Sequence, residues 1–213
     1  MDSLDAVAAR AIVSRIADLM ARKRDELIAL DGAMGDGDLG LTMEKGFAAA
    51  RDAVQKAEDA DPGRLLVKAG MAIARAAPST MGTLAATGFM SGGKAVMGKQ
   101  SLDPADLAVF FTAFTDGIMQ RGKSRPGEKT VVDVLLPASR AFSDAVAAGA
   151  GLSKAMEKLR DGASAGREAA RQMIAQHGRL AYYQEQARGK DDPGCVAGTY
   201  ILQGFWEQVT GAG

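Results

Sequence analysis

Apolar residues recur along this chain with the period of an α-helix. Between residues 104 and 121 they fall at three- and four-residue steps, at Leu107, Phe110, Phe111, Phe114 and Ile118. That spacing places these side chains on one face of a helix, where they are expected to pack into a core rather than line a ligand groove. The same periodicity predicts about eight helices, and no segment has the alternation of a convincing β-strand. The predicted helices cover residues 3–30, 43–59, 64–76, 81–97, 104–121, 130–148, 152–176 and 194–209.

Turn and cap residues divide the chain in agreement with this pattern. Three Asp-Pro pairs each place a capping carboxylate before a proline that suits the first position of a helix. These pairs are Asp61-Pro62, Asp103-Pro104 and Asp192-Pro193. We expect Gly149, Gly151 and Gly178 to end helices, and Pro137 to kink or break the helix that contains it.

Composition and charge narrow the class of protein. The 213 residues include 26 basic and 26 acidic side chains, a balance that argues against a general nucleic-acid binder or a polybasic membrane surface. No apolar run approaches the roughly 20 residues that span a bilayer, and the acidic start does not resemble a secretory signal. The single cysteine, Cys195, excludes an internal disulfide and a cysteine-based zinc site. We therefore expect one all-α domain over residues 1–213, located in the cytoplasm.

An acidic, glycine-rich segment separates the first two predicted helices. Asp31, Asp36 and Asp38 lie within ten residues that also include four glycines. A compact loop would bring the three carboxylates together, which is unfavourable unless a cation offsets their repulsion. Mg²⁺ paired with substrate phosphates is the usual intracellular solution. A solvated acidic turn that caps the next helix explains the same spacing, and the spacing alone leaves both interpretations open.

Three further connections have features of an anion site. Residues 77–83 place small hydroxyl side chains and a glycine at a helix start, where free backbone N–H groups can hold an anion. Residues 122–133 are locally basic, and residues 178–194 contain an arginine and another helix start. Each segment alone is more often an ordinary helix cap or a solvated loop. Together with the acidic loop they suggest a site for a magnesium-bound nucleotide.

These four segments, in this order, resemble the L-subunit (DAK2-domain) family of dihydroxyacetone kinases. The resemblance covers nearly the whole chain. The matching pieces are Leu30-Asp31 to Gly40, Arg121-Gly-Lys123 through Pro126-Gly-Glu-Lys-Thr130 to Asp133, Gly178-Arg179 with Tyr182, and Asp192-Pro-Gly194. The resemblance implies an eight-helix antiparallel barrel with a nucleotide, ATP or ADP, bound among the loops at one end.

The resemblance also assigns site residues. It implies two Mg²⁺ ions held by Asp31, Asp36 and Asp38. The nucleotide would be bound by residues from the loops and helix starts around these aspartates. These residues are Leu39, Gly40, Leu41, Thr42, Ser79, Thr80, Gly82, Gly122, Thr130, Val131, Arg179, Asp192, Pro193 and Gly194.

Two positions depart from the family pattern. Some members have a histidine where this chain has Leu39, and relatives that use free ATP also lack that histidine. The segment Ala77 to Gly82 is shorter than the usual glycine-rich version. The first departure favours free ATP as the donor, and the second makes the phosphate contacts of this loop harder to assign.

In the family, a separate K-type subunit holds the ketose and this domain supplies the nucleotide. The resemblance therefore implies phosphoryl transfer from ATP to a short ketose, either a triose or a tetrulose. One alternative is a permanently bound ADP that a phosphohistidine carrier protein rephosphorylates. Another is a non-catalytic nucleotide-binding regulator, while hydrolysis of a phosphate ester would need a base that the sequence does not identify. A homodimer is left open.

Two single residues have plainer interpretations. The only histidine, His177, is expected near a helix C-terminus rather than as a phosphocarrier. Cys195 is expected to be a small packing residue near the nucleotide.

Overall fold

The computed structural model describes residues 2–212, and within that range the chain is almost entirely helical. Nine α-helices, one 3₁₀ segment and two short strands make up the described part. The helices are α1 Ala6–Arg22, α2 Arg24–Gly32, α3 Leu39–Gln55, α4 Pro62–Ala76, α5 Thr80–Ala95, α6 Pro104–Gly122, α7 Val132–Ala147, α8 Leu152–Arg171 and α9 Pro193–Thr210. The 3₁₀ segment is Arg179–Ala187, and strands β1 Leu4–Asp5 and β2 Ser101–Leu102 pair antiparallel.

Eight of these helices form a closed ring. In the order α1, α3, α4, α5, α6, α7, α8 and α9, each packs on the next, and α9 returns to pack on α1. Neighbouring helices run in opposite directions. In α3, for example, the later residue Gln55 contacts the earlier residue Ser14 of α1, while Arg51 contacts Asp18. The short helix α2 packs on α3 and α9 at one end of the ring. The expected all-α, eight-helix antiparallel barrel is confirmed.

The interior of the ring is filled by aromatic and aliphatic side chains. All seven phenylalanines of the chain are buried and form one connected set of ring contacts, with centroid distances from 5.1 to 6.3 Å. Most of these pairs meet edge to face or tilted, the arrangements that aromatic rings prefer. The predicted stripe of α6 points into this core, so the prediction that it packs rather than lines a groove is confirmed.

The predicted helix starts are confirmed at atomic detail. The carboxylates of Asp61, Asp103 and Asp192 each accept a backbone N–H three residues on, at 2.7 to 3.2 Å. Gly149 follows the end of α7 with φ of +82°, as expected for a helix-ending glycine. The other two glycine predictions are wrong. Gly151 precedes α8, and Gly178 precedes the 3₁₀ segment.

Helix boundaries differ from the periodicity at both ends of the chain. Residues 3–30 include two helices that meet at Lys23 instead of one continuous helix. Helix α8 ends at Arg171 rather than near residue 176, because the following carbonyls are bonded to a distant side chain. The described part also has two strands that the sequence did not indicate, β1 and β2, which are too short to show an alternating pattern because each contains two residues.

Pro137 neither breaks nor interrupts α7, which continues from Val132 to Ala147. A proline has no N–H, so the carbonyl of Asp133 loses its usual partner four residues on. Gly166 of α8 lies directly against that carbonyl, and a Cβ atom at position 166 would contact the oxygen. The close packing of α8 along α7 therefore covers the weakened turn.

Within residues 2–212, the helices are too short or too polar for any of them to cross a bilayer.

Candidate functional site

Four connections gather at one end of the ring. Because neighbouring helices are antiparallel, the connections α2–α3, α4–α5, α6–α7 and α8–α9 all lie on the same side. They comprise residues 33–38, 77–79, 123–131 and 172–192. These are the segments in which the sequence places acidic, hydroxyl and basic residues. The fold thus brings these four connections together on one surface.

The three aspartates of the acidic loop converge. Asp31 lies near the end of α2, and Asp38 directly precedes α3. One carboxylate oxygen from each of Asp31, Asp36 and Asp38 lies within 4.8 Å of the others. Asp31 Oδ2 also accepts the N–H of Leu39 at 3.2 Å, which fixes it against the start of α3. Gly37 has φ of +74°, a conformation that glycine adopts without strain.

Electrostatics at this cluster favour a cation. Burial raises the pKa of Asp38, and the neighbouring carboxylates of Asp36 and Asp31 raise it further. The guanidinium of Arg179 opposes these effects, and its Nη2 lies 2.6 Å from Asp36 Oδ2. Hard oxygen donors at this mutual spacing suit Mg²⁺, which is bound through one or a few carboxylates and keeps places for other oxygens. The residues present therefore fit a divalent metal.

A cavity of about 590 Å³ opens beside the aspartates. Its volume falls in the range of small-molecule and cofactor sites. One side is acidic, and the remaining walls combine apolar side chains with helix starts. The lining residues are Asp31, Met34, Asp36, Asp38, Leu39, Pro78, Ser79, Thr80, Met81, Leu84, Gly122, Ser124, Thr130, Val131, His177, Gly178, Arg179, Leu180, Asp192, Pro193 and Gly194.

All but four of the residues assigned to the site from sequence line this cavity. The exceptions are Gly40, Leu41, Thr42 and Gly82. Leu41 is 55% exposed on α3, and the N–H of Gly82 donates to Ser79 Oγ at 3.1 Å as part of a helix cap. Ser79 thus uses its side chain to begin α5 while it also contributes to the wall. The binding roles of all these residues remain predictions.

Several wall residues were not assigned from sequence. Met81 and Leu84 lie three residues apart at the start of α5, so their shared face was visible in the helical spacing. Met34, Ser124 and Leu180 gave no comparable signal, because each sits alone in a loop or 3₁₀ segment. These five residues line the cavity together with His177 and the residues predicted from sequence.

His177 does not lie at a helix C-terminus as expected, because α8 ends six residues earlier, at Arg171. Its Nε2 lies 2.7 Å from Glu128 Oε2, which joins the α8–α9 connection to the α6–α7 loop. The N–H of Arg125 also donates to the Glu128 carboxylate, at 2.6 Å. The Arg125 hydrogen bond, followed by the His177 contact, lowers the pKa of Glu128.

The start of α9 forms another part of the cavity wall. Asp192 caps this helix by accepting the N–H of Cys195 at 2.7 Å. Burial raises the pKa of Asp192 to about 6, and this hydrogen bond works in the other direction. The thiol of Cys195 is buried, donates to the Thr130 carbonyl at 3.0 Å, and has its pKa raised by burial. Cys195 is therefore a packing residue that ties α9 to the α6–α7 loop, as its sequence context suggested.

Comparison with known proteins finds one matching family and several similar kinases. The model of the family described as the DAK2 domain matches residues 33–207. The ADP-binding subunit DhaL of the PEP-dependent dihydroxyacetone kinase of Escherichia coli K12 is 29% identical over 191 residues, which cover 90% of this chain and 91% of that protein. The L-erythrulose kinase of Pectobacterium atrosepticum is 31% identical over 187 residues, covering 87% of this chain and 32% of that enzyme.

A solved structure shares the fold. The crystal structure of the dihydroxyacetone kinase from C. freundii, in complex with AMP-PNP and Mg²⁺, superposes with a TM-score of 0.67 and 21% identity. The match covers 97% of this chain and 34% of that enzyme. This chain therefore spans about a third of the length of the C. freundii and P. atrosepticum enzymes.

Proposed function

Because the chain belongs to the DAK2 domain family, we propose that it is the nucleotide-binding subunit of a two-component dihydroxyacetone-type kinase. In this role it presents ATP for transfer of the γ-phosphoryl group to a terminal hydroxyl of a short ketose, a triose or a tetrulose. A separate K-type subunit holds that ketose. One observation carries the proposal: three aspartate carboxylates converge at the edge of a cavity of nucleotide size.

The aspartates hold the metal in this proposal. Asp31, Asp36 and Asp38 would hold two Mg²⁺ ions, which when bound would supply positive charge to offset the negative charge of the phosphates. The chain's own contribution is to fix the three carboxylates within 4.8 Å of one another before any ligand arrives. Preorganisation of this kind lowers the cost of binding, because the charges are already assembled.

The remaining walls orient the nucleotide. The first turns of α5, at Ser79 and Thr80, and of α9, at Gly194, direct the positive ends of helix dipoles toward the cavity. Arg179 adds a positive charge beside Asp36, where a phosphate oxygen can also reach it. The polyphosphate lies along this charged side of the cavity.

The opposite side of the cavity suits the nucleotide base. Met81, Leu84 and Val131 provide an apolar surface, and Gly122 also lines this part of the cavity. Helix α6, which ends at Gly122, lies across the ring from α1 and α2. In this proposal the base lies toward the α6 side of the cavity and the phosphates lie toward the aspartates, with the starts of α5 and α9 between them.

A phosphocarrier-dependent reaction is the second candidate, and the name of the E. coli relative favours it. That protein is the ADP-binding subunit of a PEP-dependent kinase. In this version ADP stays bound and a phosphohistidine carrier protein restores the triphosphate. Dialysis of the purified protein distinguishes the two candidates. ADP that remains bound supports the phosphocarrier-dependent reaction, and free exchange of the nucleotide with ATP supports the ATP-dependent reaction.

The test is a coupled ADP-release assay with a purified K-type subunit and a panel of ketoses. The proposal expects ATP-dependent turnover of at least one triose or tetrulose only when both subunits and Mg²⁺ are present. Binding of Mg-ATP without turnover, across several K-type subunits and both donors, would instead support a non-catalytic regulator. Turnover by this chain alone would contradict the two-component scheme.

A further inference from the structure

The loop between α6 and α7 contains a buried lysine behind the cavity wall. The side chain of Lys129 is 1% exposed, and its backbone has φ of +56°, which turns the residue inward. The next two residues, Thr130 and Val131, line the cavity itself. Lys129 therefore lies directly behind the surface that the ligand would touch.

The ammonium group of Lys129 binds three backbone carbonyls. Its Nζ donates to Arg171 at 3.0 Å, to Met173 at 3.3 Å and to Ala187 at 2.7 Å. The first carbonyl belongs to the last residue of α8, the second lies two residues beyond it, and the third belongs to the last residue of the 3₁₀ segment. Gly189 adds a backbone bond back to Arg171 at 2.7 Å. One side chain thus ties together the two ends of residues 171–189, here called the wall segment.

The wall segment carries part of the candidate site. Between Met173 and Ala187 the chain runs through His177, Gly178, Arg179 and Leu180, all of which line the cavity. Arg179 reaches from this segment to Asp36 of the metal cluster, at 2.6 Å. The position of that guanidinium therefore depends on how the wall segment is held.

Little apolar packing holds the wall segment in place. Its buried hydrophobic contacts form a small cluster, separate from the main core, that joins Met34 to Ala175, Leu180 and Ala187. Such a cluster buries far less area than the phenylalanine core. Glu128 adds polar contacts, through His177 and through its carbonyl, which accepts the N–H of Gln176 at 3.1 Å. Polar bonds from residues 128–129 thus attach the wall segment to the α6–α7 loop, while the side chains of Arg171 and Arg188 bond its two ends to each other.

A charged donor is well suited to this role. Hydrogen bonds from an ammonium group are stronger than those from a neutral donor. Burial lowers the pKa of Lys129, while the nearby carboxylates of Asp192 and Asp191 act in the opposite direction. Removing the donor would break three bonds at once. The N–H groups of Gly189 and Lys190 would still donate to the Arg171 and Ala187 carbonyls, whereas the Met173 carbonyl would lose its bond to the ammonium, which is costly inside a protein.

We propose that Lys129 is a positioning residue, whose ammonium holds the wall segment so that Arg179 stands beside Asp36 and the cavity keeps its shape. The proposal rests on the proposed function for the identity of the ligand, a magnesium-bound nucleotide. The three bonds from the Lys129 ammonium to the wall segment, here called the clamp, are present in the chain without ligand.

The first test uses Lys129→Met, which keeps the length of the side chain and removes the charged donor. Hydrogen exchange without nucleotide is expected to rise in residues 172–189 and to stay unchanged in α4, α5 and α6. Lys190→Met is the matched control, because Lys190 is an exposed lysine directly after the wall segment. Exchange that rises evenly over the whole chain, or nowhere, would overturn the clamp.

The second test measures the affinity for Mg-ADP by calorimetry. Lys129→Met is expected to weaken binding about tenfold, since the loss of charge-assisted bonds releases the wall segment. In an Arg179→Ala background the same change is expected to weaken binding far less, because both act through one contact. If the losses of affinity from Lys129→Met and Arg179→Ala add up in the double variant, the proposal is overturned. Unchanged affinity in Lys129→Met alone would also overturn it.

Two further outcomes distinguish a failure of the Lys129 proposal from a failure of the proposed function. If Lys129→Met fails to fold, Lys129→Gln retains a neutral donor, and the same exchange and affinity measurements decide the question. If the wild-type chain does not bind Mg-ADP, the proposed function fails, while the exchange experiment without nucleotide still decides whether Lys129 holds the wall segment.

Discussion

At the scale of single residues, the aspartate cluster is held together against its own repulsion. Two like charges 4 Å apart repel by about 1 kcal/mol in water and by more where water is excluded. Arg179 offsets part of this cost through its contact with Asp36, while burial and, after it, the charges of Asp36 and Asp31 raise the pKa of Asp38. A divalent ion removes the remainder, so metal and nucleotide are expected to bind together.

The first prediction concerns that cluster. Asp38→Asn removes an ionised ligand without changing side-chain bulk and is expected to weaken Mg-ADP binding by about 100-fold or more. Helical content, measured by circular dichroism, is expected to stay unchanged. Asp116→Asn, at an exposed position of α6, is the control and should bind normally. Wild-type affinity in the Asp38 variant would show that this carboxylate is not a ligand.

The second prediction concerns Asp192, whose pKa of about 6 in the folded chain lies above the ordinary 3.8. A carboxyl with a raised pKa binds its proton more tightly when folded, so it favours folding at low pH and loses that effect as the pH rises through 6. Asp192→Asn cannot titrate and still caps α9. The free energy of unfolding of wild type, relative to this variant, should therefore fall by about 1 to 2 kcal/mol between pH 4 and pH 7. A difference that is flat over this range would contradict the raised pKa.

At the scale of elements, the ends of helices are fixed by side chains from distant positions. Arg10 of α1 reaches the C-terminal end of α3, where its guanidinium donates to the carbonyls of Val54, Ala57 and Asp59 at 2.7 to 3.1 Å. The last carbonyls of a helix lack partners within it, and a positive charge there also suits the helix dipole. This contact sets where α3 stops.

The third prediction follows from that contact. Arg10→Met keeps much of the apolar stem and removes the bonds, so it is expected to lower the free energy of unfolding by about 2 kcal/mol. Arg51→Met is the control, because the pair between Arg51 and Asp18 is exposed and such pairs contribute about 0 to 1 kcal/mol. Urea denaturation measures both. Equal losses in the two variants would mean that Arg10 acts only as a surface charge.

At the scale of the whole molecule, the ring depends on close approach between helices. Gly166 brings α8 against the backbone of α7, where a Cβ atom would lie 2.7 Å from Pro137 Cγ and 3.1 Å from Val134 Cα. Helices α7 and α9 start on the cavity side, so their spacing from α8 also shapes the site. The barrel and the cavity are thus coupled through these contacts.

The fourth prediction tests this coupling. Gly166→Ala forces α7 and α8 apart and is expected to cost about 1 to 3 kcal/mol of stability, the usual cost of overpacking. Gly151→Ala is the control, since the space around Gly151 is open and its φ of −68° suits alanine. Thermal unfolding of the two variants checks the difference. A neutral Gly166 variant would show that the helices can separate without penalty.

The sequence predicts the helices well because helix periodicity and Asp-Pro caps are local signals, whereas their closure into a barrel is predicted only through the family resemblance. It predicts the convergence of Asp31, Asp36 and Asp38 only through the resemblance, since spacing alone left a solvated turn open. It misses the end of α8 at Arg171, because the partner that binds the next carbonyls, Lys129, lies more than forty residues earlier. Wall residues such as Ser124 and Leu180 are missed for the same reason: their neighbours are set by the ring and not by the nearby sequence.

The most direct test is a crystal structure of the protein grown with ADP and Mn²⁺, with Mn²⁺ standing in for Mg²⁺ because its anomalous scattering locates the ion. We predict anomalous peaks among the carboxylates of Asp31, Asp36 and Asp38, with the ADP phosphates bound to the same ions. Nucleotide in the cavity with no ion at these three residues, or manganese bound elsewhere, would contradict the proposed site.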